Sequence, residues 1–298
     1  MLSRIDIIPS AQIDRGLWDR CVASAGNSSV YGRTFYLDGM ADQWHGLVLD
    51  DYAAVFPLPW RKKWGIRYVY TPAFVQQLGL FGKAPEGIYE ELKKHIRAFA
   101  RYGDLMLNDN GEPEKTLALR SRCNFAVLPN GGYPAVSAAY HPDLVQTLKK
   151  NSGKGIRILQ SGNIGHILSL HKELYAGRTP HVTATDLERL QHLCCLQHAK
   201  GNCEVFEAVD EQGTLLAAAL LLLEGQRAYL LLNAVPPAGR SAYANYVLLD
   251  HIVQRSVEAG LAFDFEGSDL PGVKSFYRKF GGRQEVYWHW KLGPSWRS

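Results

Sequence analysis

The stretch from residue 261 to 282, LAFDFEGSDLPGVKSFYRKFGG, constrains the fold of this 298-residue chain more than any other. Phe263-Asp264-Phe265-Glu266 alternates apolar and acidic residues, which predicts a half-buried strand with both carboxylates on one face. Gly267-Ser268 interrupts it, and Asp269 and Pro271 supply a helix start. Val273, Phe276, Tyr277 and Phe280 then recur at helical spacing until Gly281-Gly282 stops the helix. A strand that ends in a polar turn before a helix is where α/β sheets commonly build ligand sites. Aromatics at this spacing also describe a plain core.

The rest of the chain narrows the class. Its length allows about two domains, and 46% hydrophobic with 21% charged residues is the balance of an ordinary globular protein. The longest apolar run, residues 215–223, is far short of the ~18 residues of a membrane span and suits a buried strand. MLSRIDIIPS lacks the basic start and apolar segment of a secretory signal, so the expected compartment is the cytoplasm. Five cysteines without a Cys-x-x-Cys pair argue against a disulfide framework and against zinc. The histidine pairs His192/His198 and His166/His171 lack a third ligand at metal spacing, so no metal is expected. A net charge of +4 without a long basic run does not predict DNA binding. It is compatible with an anionic small-molecule ligand, and Arg61-Lys62-Lys63 reads as solvated loop charge.

Taken in order, the first half predicts a strand at 3–8, helices at 14–25 and 34–44, a hairpin around Asp50-Asp51, a strand at 67–70, a helix at 85–101 and strands at 104–108 and 116–128. Asn130-Gly131-Gly132 marks the end of that unit. A linking helix at 141–151 follows. The second half then predicts a strand at 156–159, helices at 163–175 and 184–199, three antiparallel strands from Cys203 to Val235, a helix at 243–258, the organising strand and helix, and a last strand at 284–292.

This order resembles the GNAT acyltransferase fold present twice, as in the group that includes the Fem-type peptidoglycan aminoacyltransferases. FDFEGSDLPGVKSFYRKFGG is similar to that group's carboxy-terminal strand-turn-helix, TPAFVQQLGLFG to its amino-terminal segment, and GRSAYANYVLLDHI to the helix after the fourth strand. The resemblance implies an α+β chain of two mixed, mostly antiparallel sheets flanked by helices: an N-terminal GNAT-like domain at 1–134, a linking helix at 135–154 and a C-terminal domain at 155–298. It further implies an N-acyltransferase that moves an acetyl or aminoacyl group from an activated donor to a small-molecule or peptide amine held in an interdomain cleft. The alternative is a non-catalytic double-GNAT scaffold binding an acylated or peptide ligand or a partner protein.

On this resemblance the donor is acyl-coenzyme A, such as acetyl-CoA. The chain has no heptads for the coiled-coil arm of one Fem subgroup, so aminoacyl-tRNA is the less favoured donor. Acyl transfer to an amine needs a base, a polarised carbonyl and an acid for the leaving group. Asp264 and Glu266 are the candidates for the base or amine-orienting role, against a structural ion pair. Tyr277 is the acid candidate, against a packed tyrosine. Val235, Gly239, Arg240, Ser241 and Asn245 fall where coenzyme A enzymes cradle pyrophosphate at a helix N-terminus, although Ser241 also suits a plain N-cap. Gln76, Ser268 and Lys274 are the candidate substrate contacts.

Overall fold

The isoleucine-rich stretch at the start of the chain forms β1 (Ile5–Pro9), and the Asp14 carboxylate accepts the Leu17 N–H to begin α1 (Arg15–Ser24). A computed structural model describes residues 4–108, 117, 119–178, 181–267 and 271–293. The chain divides into unit 1, residues 1–122 with 286–298, and unit 2, residues 123–285. The domain boundary expected at residue 134 falls inside unit 2.

In unit 1, α2 (Thr34–Met40) leads to β2 (Trp44–Leu49) and β3 (Ala54–Lys63), which pair antiparallel. The helix expected to reach Trp44 stops at Met40 because Ala41 is extended and Trp44 opens β2, its indole N–H donating to Asp38 at 2.9 Å. The hairpin turns at Asp50, Asp51 and Tyr52, all with positive φ. β4 (Ile66–Tyr70) pairs antiparallel with β3, and the short β5 (Phe81–Gly82) adds to β3. Helix α3 (Ile88–Phe99) returns the chain to β6 (Tyr102–Leu107), which runs parallel to β4. Trp18, Tyr31, Tyr36, Leu47, Phe56 and Phe81 are fully buried here, each contributing about 1.5–3 kcal/mol by burial.

Strand β7 (Leu119–Val127) enters unit 2 at Cys123. The segment expected as a linking helix forms two, α4 (Gly132–Ala138) and α5 (Pro142–Asn151). They are anchored within unit 2 because the Tyr133 and Tyr140 hydroxyls donate to the Asp250 carboxylate at 2.8 and 2.9 Å. β8 (Arg157–Ser161) precedes α6 (Ile164–Tyr175), capped by Asn163, and α7 (Ala184–His198), started by a Thr183/Asp186 capping box. β9 (Cys203–Val209), β10 (Leu215–Glu224) and β11 (Arg227–Ala234) form the antiparallel meander. The short α8 (Pro237–Ser241), then α9 (Ala244–Glu258), β12 (Ala262–Asp264), α10 (Pro271–Arg278) and β13 (Arg283–Leu292) complete the order.

Both units follow one plan. Four antiparallel strands are joined by a parallel fifth, β6 beside β4 and β12 beside β11. An antiparallel sixth then comes from outside the local sequence: β13 from Val286 onward in unit 1 and β7 from Cys123 onward in unit 2. The expected pair of GNAT-like domains is therefore present, with their last strands exchanged along the sequence. In unit 2, Phe125, Leu144, Leu248, Ile252, Phe263 and Phe280 belong to one continuous core.

Candidate active site

β11 and β12 pair only from Arg227/Ala262 to Tyr229/Asp264. Beyond that point β12 ends and β11 continues to Ala234. β10 partners pass directly from Leu230 to Leu232, so Leu231 is an extra residue, a β-bulge that takes its peptide out of the ladder. The gap between the two strands is a cavity of about 630 Å³ within unit 2. Leu230, Leu232, Val235, Val273 and Phe276 make its apolar walls. Among its polar groups are Asn233 of β11 and Asn245 of α9, His171 and Tyr175 of α6, Arg240 of α8, Glu266 of the turn after β12 and Tyr277 of α10.

Most of these groups are held by local chemistry. Asn233 and Asn245 exchange amide hydrogen bonds, both 2.9 Å, and Asn233 also donates to the Ala218 carbonyl at 3.2 Å. The Tyr175 hydroxyl accepts the Val235 N–H at 3.3 Å. Burial lowers the pKa of His171, so its ring is neutral at pH 7 and able to accept a proton. The Tyr277 ring stacks on Phe265 at 4.5 Å between centroids. Burial, with the nearby charge of Glu266, pushes its hydroxyl up, so it keeps its proton at neutral pH.

Asp264 and Glu266 part company. The alternation that would put both on one face stops at Asp264, the last residue of β12, and Glu266 takes φ 62° before Gly267 at 56°. A non-glycine residue in this left-handed region is strained, a feature that clusters at functional sites. Asp264 is 1% exposed and bonded to Arg227 at 2.5 Å, to Asn124 at 2.8 Å and to the Glu266 N–H at 2.8 Å. Arg227 also forks onto Glu285 at 2.9 and 3.1 Å. Burial raises the Asp264 carboxyl against the opposing pull of Arg227. Burial alone would lower Arg227, yet Glu285 and Asp264 outweigh it and hold the guanidinium charged. Asp264 thus positions the turn that carries Glu266, and only Glu266 of the two lines the cavity.

The other expected residues sort in the same way. Val235, Gly239, Arg240, Asn245, Glu266 and Tyr277 come together at the cavity. Gly239 is buried where a methyl group would overlap the Leu216 carbonyl, so the glycine seats α8 against β10. Ser241 is not an N-cap of α9: it ends α8 and donates back to the Pro237 carbonyl at 3.3 Å, and Tyr243 with φ 57° opens α9 instead. Ser241 and Lys274 do not line the cavity. Gln76 belongs to unit 1, where its amide oxygen accepts from Gln77 at 3.0 Å. Ser268 lies outside the described residues. His171, Tyr175 and Asn233 were not anticipated. Their one sequence signal is the i, i+4 pair His171/Tyr175 on a helix face, whose rings meet at 5.1 Å.

Residues 154–277 match the model of the acetyltransferase (GNAT) domain, a span that contains β8 to β12 and most of α10. Unit 2 carries a GNAT domain. The expected resemblance to double-GNAT, Fem-type proteins holds at the level of fold along the whole chain. FemX superposes with a TM-score of 0.66 at 13% identity, over 97% of each chain. A tandem GNAT protein from the clavulanic acid biosynthesis pathway, solved without AcCoA, gives 0.58 at 13% identity, covering 98% of this chain and 100% of that one. L-PGS from Bacillus licheniformis gives 0.52 at 11% identity, over 96% and 93%. No curated protein matches the sequence. Among the described residues no helix is long and apolar enough to cross a membrane.

Proposed function

We propose that the chain is an N-acyltransferase whose donor binds in the unit 2 cavity and whose base is Glu266. The observation that carries this reading is the placement of Glu266: a carboxylate in left-handed backbone, on a turn fixed by Asp264, beside a protonated Tyr277 at the opening between β11 and β12. In the proposed reaction the amine nitrogen attacks the donor carbonyl carbon while Glu266 takes the amine proton. The bond to the leaving group then breaks, and Tyr277 supplies the leaving atom with a proton. The peptide freed at the Leu231 bulge is suited to polarise the donor carbonyl. Neutral His171, which also lines the cavity, is a second proton acceptor.

The apolar walls and the Asn233/Asn245 amide pair fit the acyl and amide-bearing arm of an acyl-CoA. The phosphate end is fitted less well, because α8, seated by Gly239, replaces an open glycine-rich loop and leaves Arg240 as the cation on the cavity. Against a pyrophosphate-bearing donor, this weaker fit keeps aminoacyl-tRNA as the less favoured alternative donor, and it supports the second reading of a scaffold that binds without turnover. Donor consumption separates them. The wild-type protein is expected to consume either an acyl-CoA or an aminoacyl-tRNA only when an amine is present. Failure to consume any donor, acetyl-CoA, longer acyl-CoA esters or aminoacyl-tRNA, would remove the enzymatic reading and leave the scaffold.

A further inference from the structure

The β3–β4 connection in unit 1 is a two-residue turn, Trp64-Gly65, closed by the Lys63/Ile66 pair. Both turn residues have positive φ, 52° and 77°, the signature of a type I′ hairpin, which favours Asn or Asp at the first position. A tryptophan here is strained and gains nothing from packing, since it is 89% exposed. Ile66, two residues on, is 47% exposed. The placement of two large apolar side chains at a tip where folding has no use for them points to an external apolar phase.

The surroundings indicate which phase. Lys62, Lys63, Arg67, Arg97 and Arg101 are all exposed around the tip and the adjoining end of α3, and Arg67, Arg97 and Arg101 share one depression with Ile66. None of the five meets a described carboxylate, whereas their neighbour Arg61 is paired with Asp42. Lys63 Nζ lies 4.9 Å over the Trp64 ring, and Arg67 is held over Trp60 and Phe99 at 5.2 and 4.9 Å. A groove of about 720 Å³ opens at the same tip, lined by Trp64, Ile66, Tyr68, Tyr70 and Leu292 among others, with Lys63, Lys291 and Asp104 as its charged residues, the last paired with His289. Cations ringing an apolar, aromatic tip are the chemistry of a bilayer interface, where tryptophan sits at headgroup level and lysine and arginine meet anionic phosphates. Single-stranded nucleic acid would instead call for aromatics spaced along a basic track, and an exposed isoleucine adds nothing to base stacking.

We propose that the β3–β4 hairpin docks the protein on an anionic lipid surface, with Trp64 and Ile66 entering the interface and the five cations facing lipid phosphates. The reading of Arg61-Lys62-Lys63 as mere solvated charge is replaced by this role for Lys62 and Lys63. It stands on unit 1 alone and is independent of the chemistry in unit 2.

The test is co-sedimentation of the full chain with phosphatidylcholine vesicles, with and without phosphatidylglycerol, at low and high salt. Binding is expected only to the anionic vesicles and to weaken with salt. Trp64→Asn, which suits the turn and should leave the fold intact by circular dichroism, is expected to weaken binding about tenfold or more. Lys62→Glu with Lys63→Glu is expected to weaken it roughly thirtyfold or more, at about fivefold per cation lost. Equal binding to neutral vesicles, an undiminished Trp64→Asn variant, or absence of vesicle binding would each overturn the proposal. So would binding of a tRNA pool, lost in the same variants, without binding to vesicles.

Discussion

Replacing Arg227 with methionine should expose how the turn bearing Glu266 is held. Asp264 is 1% exposed, the Arg227 side chain 25%, and their bond is 2.5 Å. Removing one partner of a buried pair costs about 3–5 kcal/mol because the other charge is stranded. The partial exposure of Arg227, and the donors left to Asp264 from Asn124 and the Glu266 N–H, put this case near the lower end, at about 3 kcal/mol. Asp264→Asn keeps an acceptor for the Glu266 N–H and should cost about 1–3 kcal/mol. In that background Arg227→Met strands no buried charge, and Glu285, 28% exposed, can be solvated. Its cost should then fall to about 1 kcal/mol, a coupling of about 2 kcal/mol across the cycle. Guanidinium unfolding of the four proteins measures it.

The pH dependence has a defined sign. Asp264 is raised by burial above its ordinary 3.8, so the folded chain holds this proton more tightly than the unfolded one. Its contribution is complete below 3.8 and is lost as pH rises through the folded value. Arg227→Met raises it further, so the variant's deficit should be widest at neutral pH and narrow on acidification. Costs that add to within about 0.5 kcal/mol, the scatter of independent sites, would refute the coupled network.

Gly239→Ala must push α8 away from the Leu216 carbonyl and should cost about 1–3 kcal/mol in thermal or denaturant unfolding; an unshifted midpoint would show that α8 is free to move. Burial is the first cause that lowers the pKa values of His45, His171 and His251. Their stabilising contribution is present above the unfolded value of 6.5 and lost as pH falls through the folded values. The melting temperature should therefore drop on acidification, less steeply in His171→Gln, and a constant midpoint would contradict the assignment. Trp64→Asn relieves a left-handed tryptophan and should add about 0.5–1 kcal/mol; destabilisation would mean that the tryptophan packs on the folded chain.

Local signals carried much of the fold. Asp14, Asn163 and Thr183 cap the helices expected after them, and the turns at Gly213 and Gly225, both with positive φ, bound the expected meander strands. The double-GNAT order followed from these elements. The exchanged sixth strands were not legible, because pairing Phe263 with Val127, or Trp288 with Leu107, depends on contacts far apart in sequence. The Leu231 bulge was hidden for another reason: a run of leucines has no alternation from which to read register. Phe-Asp-Phe-Glu misled because alternation fixes faces only while the strand lasts. Arg227, the partner that makes Asp264 structural, is brought there only by the parallel register of β11 and β12.

The most direct test of the central claim is single-turnover transfer by Glu266→Gln, with the donor the wild-type protein consumes. The account predicts a loss of roughly 10²–10⁴-fold in transfer rate, with donor affinity and unfolding midpoint unchanged. Wild-type transfer in this variant would contradict it and move the chemistry away from the β11–β12 cavity.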